Sequence, residues 1–314
     1  MRYTPFSAEL FKKNRAKLYA QLPPKSIVVV SSNDIMPTNA DGTMGFRQNS
    51  DLFYLSGLDQ EETFLILYPD APEAQWREIA FVRETSELIE IWEGHKYTKE
   101  EATQTSGIKN IQWSSNFESL LNTLVYSANH IYLTDNEHLR NASVVQTQNA
   151  RLGNTIRNSY PNHAIGRLAP ILSDLRMQKE PEELQALQVA CDITDKGFRR
   201  VLNFTKPGVT EYEIEAEFIH EFTRNRSEGF AYTPIIASGA NACVLHYIDN
   251  ALPCKNGDML LLDVGASYAN YNADMTRTIP VNGRFSPRQK QVYQAVHSVL
   301  NYATEIMQPG VFWV

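Results

Sequence analysis

The segment Met259-Leu260-Leu261-Leu262-Asp263-Val264-Gly265 constrains the fold more than any other stretch of this 314-residue chain. It has the composition and length of a strand, yet a carboxylate stands inside it. Burying an ionised carboxylate among aliphatic side chains costs on the order of several kcal/mol unless the charge is paired or coordinated. Asp263 therefore needs a partner. A second carboxylate follows in Tyr271-Asn272-Ala273-Asp274-Met275-Thr276-Arg277-Thr278. If the two segments form a hairpin centred on Tyr268-Ala269, Asp263 and Asp274 stand directly opposite each other, with Cβ atoms about 5 Å apart. Like charges so placed repel, and a cation between them reverses the sign. Carboxylate oxygens favour a hard or borderline divalent ion such as Mn²⁺. Two other arrangements are open: Arg277 pairs with one carboxylate, or the register differs and one Asp is exposed.

The rest of the chain divides in two. Ser7 to Leu22 has the pattern of an amphipathic helix ended by Pro23-Pro24, and Ser26 to Ser31 reads as a buried strand. Strand-like runs recur at Thr63 to Tyr68, Glu78 to Val82 and His130 to Leu133, between helical stretches at Lys99 to Gln104 and Asn116 to Val125. This alternation predicts an α/β domain with a mixed sheet over residues 1–170. A helical segment, Leu168 to Lys179, leads into a second domain over 176–314. There Pro181 suits a first helical position, and a helical period runs to Lys206-Pro207-Gly208. Thr210-Glu211-Tyr212-Glu213 and Ser286-Pro287-Arg288-Gln289 are capping-box helix starts. Strands are expected at Phe230 to Ala237, Met259 to Val264 and Asp274 to Val281. One helix ends in Lys206-Pro207-Gly208-Val209 and a later one in Gln308-Pro309-Gly310-Val311, the same unit repeated 102 positions on.

Several function classes are excluded on composition and motif. With 29 basic against 36 acidic residues, a formal charge of -7, the chain is no bulk-charge nucleic-acid binder. No window reaches the roughly 18 apolar residues of a membrane span, and the amino terminus has no signal-peptide core, so a cytoplasmic protein without membrane contact is expected. Cys191, Cys243 and Cys254 are too few for a disulfide framework and read as buried small residues. No phosphate loop, nucleophile elbow or dinucleotide fingerprint is present. His220-Glu221 opens like a zinc-protease helix motif, but Arg224 stands where the second His is required. His246 follows the small-residue run Ala237-Ser238-Gly239-Ala240-Asn241-Ala242-Cys243, whose close backbone packing would bring its ring into a cleft. Taken alone, it fits a structural histidine better.

Taken together, these segments resemble the aminopeptidase P branch of the metallopeptidase family that also holds prolidase, methionine aminopeptidase and creatinase. The resemblance rests on Phe46-Arg47-Gln48-Asn49-Ser50-Asp51-Leu52-Phe53-Tyr54-Leu55-Ser56-Gly57-Leu58, on Leu175-Arg176-Met177-Gln178-Lys179, on Ser238 to Tyr247, and on the two Asp segments. It implies an α/β amino-terminal domain followed by an α+β pita-bread catalytic domain, of which the first half and the first helix of the second half are present. It implies a site of two divalent metal ions, Mn²⁺ by preference, in which Asp263 and Asp274 match the two metal-binding Asp. His246 matches the histidine that contacts substrate. The family's metal-binding His and two Glu lie beyond residue 314, so the resemblance implies a truncated chain that binds metal weakly and turns over poorly by itself. The implied activity is release of an N-terminal residue from peptides with proline at the second position, by a homo-oligomer. The alternatives are a prolidase acting on Xaa-Pro dipeptides and a non-catalytic peptide-binding module.

Overall fold

A computed structural model describes residues 3–141 and 144–312. It divides into two compact units, Thr4–Leu184 and the residues from Gln185 onward together with Tyr3. The division falls later than the 170–176 window expected from sequence. Leu168 and Leu172 belong to the core of the first unit, which therefore keeps the helix that was read as a linker.

The first unit runs α1 (Ala8–Tyr19), β1 (Ser26–Ser31), α2 (Ser50–Ser56), β2 (Phe64–Leu67), β3 (Glu78–Val82), α3 (Glu87–Glu93), α4 (Lys99–Ser106) and β4 (Asn110–Trp113). It continues with α5 (Phe117–Val125), β5 (His130–Leu133), α6 (Gln148–Ser159), β6 (Ala164–Arg167) and α7 (Ala169–Met177). The strands form one mixed sheet in the order β4-β3-β2-β1-β5-β6. All six residues of β1 are buried, because both faces of the sheet are covered. Val28 and Val30 face α1, α2, α4 and α7 through Leu18, Leu52, Leu55, Ala102 and Leu172. Ile27 and Val29 face α5 and α6 through Phe117, Leu121, Leu124 and Ile156.

The long motif at residues 46–58 does structural work in this unit. The Asn49 side chain caps α2 by accepting from the Asp51 and Leu52 amides at 3.0 and 3.1 Å. Buried Gln48 donates to the Leu58 and Gln60 carbonyls at 2.9 and 2.8 Å. Gly57 ends the helix at φ 69°, where an added Cβ would lie 2.2 Å from the Phe11 ring. Asp51 in turn pairs with Arg176 of α7 at 2.6 Å, so two of the segments that carry the family resemblance meet here.

The second unit contains α8 (Pro181–Phe204, which the division cuts after its first turn), α9 (Glu211–Arg224), β7 (Gly229–Phe230), β8 (Ile235–Ser238), β9 (Met259–Val264), β10 (Ala266–Tyr268), β11 (Tyr271–Asn272), β12 (Met275–Pro280) and α10 (Pro287–Ile306). Two three-stranded sheets result, β12-β9-β8 and β11-β10-β7. The run expected as one strand from Phe230 to Ala237 is broken into β7 and β8 by Pro234, which has no N–H for a ladder. The aromatic edge contact Phe198–Phe218 (5.3 Å) joins α8 to α9, and Phe218 packs in turn on Phe222 of α9 (5.8 Å). They close over Gly197, where a Cβ would sit 2.8 Å from both Phe218 and Phe222.

The repeated helix-to-Pro-Gly unit takes the same form twice. Both α8 and α10 run into a glycine in the left-handed region, Gly208 at φ 96° and Gly310 at φ 90°. Helix α10 buries none of its residues and presents Val292, Val296, Val299 and Leu300 to solvent. Of the cysteines only Cys254 is buried; Cys191 and Cys243 are exposed, contrary to the expectation for small apolar residues. Among the described residues no helix is long and apolar enough to cross a membrane.

Arg15 is the most demanding buried group in the first unit. Fully buried on α1, it donates to the Leu55 and Ser106 carbonyls at 2.8 and 3.1 Å and pairs with Glu78 at 3.0 Å. Removing it takes the guanidinium donor from two carbonyls and leaves the part-buried Glu78 carboxylate with the Tyr19 hydroxyl at 2.7 Å but no cation. Arg15→Ala should therefore lower the unfolding free energy of this unit by about 3 kcal/mol or more. Urea denaturation followed by circular dichroism checks it; a loss below about 1 kcal/mol would show that the pair is replaceable.

Candidate metal centre

Asp263 lies in β9, the central strand of its sheet, paired with Ile235 of β8 and Thr276 of β12. Burial alternates along β9: Leu260, Leu262 and Val264 are buried, while Met259, Leu261 and Asp263 are partly exposed. The carboxylate is thus not embedded in an apolar layer, as the unbroken Leu run suggested. It stands on the open face of a strand with one covered face.

The hairpin differs from the sequence reading by one residue at its turn. Tyr268 pairs with Tyr271, so the turn residues are Ala269 and Asn270, both with positive φ (53° and 62°) as a type I′ turn requires. Asp263 therefore faces Thr276 rather than Asp274. Asp274 follows β11 and precedes β12, level with Gly265 between β9 and β10. An added Cβ at Gly265 would lie 1.7 Å from the Ala273 carbonyl oxygen. Only glycine permits that approach, and Asp274, two residues before Asp263's partner Thr276, lies on the face that carries Asp263.

The two carboxylates converge on one group, the hydroxyl of Tyr232. It lies 2.6 Å from Asp263 Oδ1 and 3.1 Å from Asp274 Oδ1. A phenol has a single proton and can donate to only one of them at a time. Burial, and then the hydrogen bond and charge of Asp263 with that of Asp274 behind it, push the Tyr232 hydroxyl well above the usual tyrosine range. Asp274 is exposed, one of the two alternatives foreseen, yet it is not thereby separated from Asp263. Arg277 does not neutralise the pair: its guanidinium donates to the Thr276 carbonyl at 2.8 Å.

Two acceptor groups sharing one donor are a fit for a cation, and oxygen donors of this kind suit a hard or borderline divalent ion. Asp263 and Asp274 are the residues that would hold it. Among the described residues, no group of three or more His, Cys, Asp or Glu side chains is assembled for a metal.

His246 is exposed, on the loop after a 3-10 turn at Gly239–Cys243, and has no hydrogen bond to either Asp. The loop itself is held from beneath by Glu211, the first residue of α9, which is fully buried. One oxygen accepts from the Ser238 amide (2.8 Å) and hydroxyl (2.7 Å) and from Asn241 (3.4 Å). The other accepts from the Tyr247 hydroxyl (2.7 Å) and the Leu252 amide (2.9 Å). Burial pushes this carboxyl up, but the hydrogen bonds from Tyr247, Leu252 and Ser238 outweigh it and hold it below the usual range.

Sequence reasoning missed both Tyr232 and Glu211. Tyr232 lay inside a run read only for strand character. Glu211 lay inside a capping box whose acting carboxylate is Glu213, which accepts from the Thr210 amide at 2.7 Å.

Comparison with known proteins bears on both units. Residues 185–314 match metallopeptidase family M24, and residues 11–132 match the aminopeptidase P N-terminal domain. The chain is 32% identical over 302 residues to the Xaa-Pro aminopeptidase of Haemophilus influenzae, covering 96% of this chain and 67% of that one. It is 29% identical over 306 residues to the Xaa-Pro aminopeptidase of Escherichia coli, covering 97% and 69%. Among solved structures, Pseudomonas aeruginosa aminopeptidase PepP superposes with a TM-score of 0.89 at 29% identity, over 98% of this chain and 70% of that one. Zinc-substituted E. coli aminopeptidase P in complex with product gives 0.86 at 27% identity, with the same coverage.

Two outcomes are expected at this site. Gly265→Ala should cost about 1–3 kcal/mol of stability, since a backbone carbonyl must move to admit the methyl group; denaturant midpoints measure it, and an unchanged midpoint would refute the close crossing. Glu211→Gln should cost stability in a pH-dependent way. The folded carboxyl is depressed below its unfolded value of about 4.3, so its contribution is complete above that value and is lost as pH falls through the lower folded value. The difference in unfolding free energy between the native chain and Glu211→Gln should therefore be flat above pH ~5 and shrink on acidification.

Proposed function

Because the chain belongs to the aminopeptidase P branch of metallopeptidase family M24, with that branch's α/β amino-terminal domain and pita-bread catalytic domain, and is with it a metal-dependent aminopeptidase, we propose that Asp263, Asp274 and His246 serve the release of the N-terminal residue from peptides with proline in second place. The observation that carries this reading is the convergence of Asp263 and Asp274 on the single Tyr232 hydroxyl.

An Xaa-Pro bond is a tertiary amide. It has no N–H to donate, so recognition falls to the shape of the ring and to the carbonyl. Divalent ions, Mn²⁺ in this proposal, supply a water of lowered pKa and polarise the carbonyl when bound. Asp263 and Asp274 are the residues that would hold such an ion. Tyr232 donates to Asp263 and so sets which of its oxygens remains free. His246, exposed on its loop, donates to the substrate carbonyl oxygen as negative charge develops there. Two carboxylates leave most of an ion's coordination positions to other ligands, which makes the affinity of these residues alone weak.

Calorimetric titration with Mn²⁺ and turnover of a Xaa-Pro-Xaa tripeptide against a Xaa-Pro dipeptide test the proposal. Asp263→Asn and Asp274→Asn should each abolish the heat of Mn²⁺ binding, and Tyr232→Phe should weaken it about tenfold or more. Full Mn²⁺ affinity in either Asn variant would sink the metal assignment, and hydrolysis of the dipeptide alone would replace an aminopeptidase by a prolidase.

A further inference from the structure

We infer that Glu211 is the positioning residue for His246, acting through the neighbouring Tyr247. The inference deepens the function proposed above, on which the meaning of His246 depends, but it stands on geometry of its own.

The segment 244–249 is exposed at Val244, Leu245, His246, Ile248 and Asp249. Among the described residues of this segment Tyr247 has a side-chain tether, a hydrogen bond of 2.7 Å to Glu211 Oε2, while the Val244 amide donates to the Asn241 carbonyl at 2.9 Å. The Tyr247 oxygen also accepts from the Ala251 amide at 3.4 Å, so the residue beside His246 is fixed from both sides. Glu211 fixes both ends of the same segment, Ser238 before it and Leu252 after it. Its own amide donates to the Leu252 carbonyl at 3.0 Å. One turn further along α9, Glu215 accepts from Asn250 at 2.9 Å. Asn250 is buried, sits at φ 46°, and also joins the Pro234 carbonyl and the Ile236 amide.

Every partner of the Glu211 side chain is a donor, shared between both oxygens. Only an ionised carboxylate accepts on both oxygens with no proton of its own to place, and an amide in its place would turn a donor toward a donor. A loop whose one functional side chain stands in water would otherwise sample many positions. Anchoring it on a buried charge fixes the imidazole without burying the ring, which leaves it free to meet substrate.

The test is amide exchange and imidazole resonances by NMR on the full chain, in Glu211→Gln and in Tyr247→Phe. In Glu211→Gln, exchange at the Ser238 and Leu252 amides should quicken about tenfold to hundredfold, while Leu260 and Leu262 amides of β9 stay protected. In Tyr247→Phe, which removes one hydroxyl and leaves Glu211 in place, Ala251 should quicken and Ser238 should not. In both variants the His246 ring signals, assigned by their loss in His246→Ala, should move toward the positions of a freely mobile imidazole. Unchanged His246 signals in Tyr247→Phe would overturn the inference even if Glu211→Gln failed to fold. Peptide turnover unaffected by His246→Ala would instead overturn the role given to His246 and leave the anchoring intact.

Discussion

The close crossing at Gly265 is the constraint on which the candidate centre depends. The chain runs from β9 into β10 through a residue with no side chain, and the returning strand passes with the Ala273 carbonyl in the space that a Cβ would occupy. The Ala273 amide meanwhile donates to the Ala266 carbonyl, and the Gly265 carbonyl accepts from Ala231. Asp274 follows directly on Ala273, and the residue next to Ala231 is Tyr232, whose hydroxyl joins both carboxylates. One missing methyl group thus sets the spacing of three functional side chains.

The same region marks what sequence alone could and could not deliver. The strand carrying Asp263, its antiparallel pairing with the strand that begins just after Asp274, and the convergence of the carboxylates were legible, because apolar composition and a need for charge compensation point the same way. The register was not. It is decided by a two-residue turn with positive φ at Ala269 and Asn270, and Ala-Asn lacks the Asn-Gly signature that would mark it. Burial was also misjudged: a run of three leucines looks continuous in sequence, while the period of two puts Leu261 and Asp263 on a face of their own. Tyr232 was out of reach because no local pattern distinguishes a tyrosine that ends in solvent from one that ends on two carboxylates.

In the first unit legibility followed burial on both sides. Ser26 to Ser31 was read as a buried strand and is the most enclosed one, since a sheet covered on both faces leaves an unbroken apolar run. The strand Ala164–Arg167 went unread for the converse reason: it is an edge strand, mostly exposed, with no apolar run to announce it. The domain boundary was misplaced because Leu168 and Leu172 were read as a short connecting helix, when they fill the core beside Val28 and Val30. Helical period tells that a helix is amphipathic, and not which core its apolar side enters.

Two carboxylate sites of the second unit are treated in opposite ways. Glu211 receives donors from Ser238 twice, from Asn241, from Tyr247 and from Leu252, so its charge is spent on fixing the backbone around it. Asp263 and Asp274 share one phenolic proton between them. A buried carboxylate saturated with donors has no capacity left for a ligand and is stable as it stands. A pair that converges with a single donor keeps most of its acceptor capacity, and its mutual repulsion falls only when positive charge enters. The distribution of donors therefore separates the carboxylate that holds the scaffold from the pair that is left to hold something else.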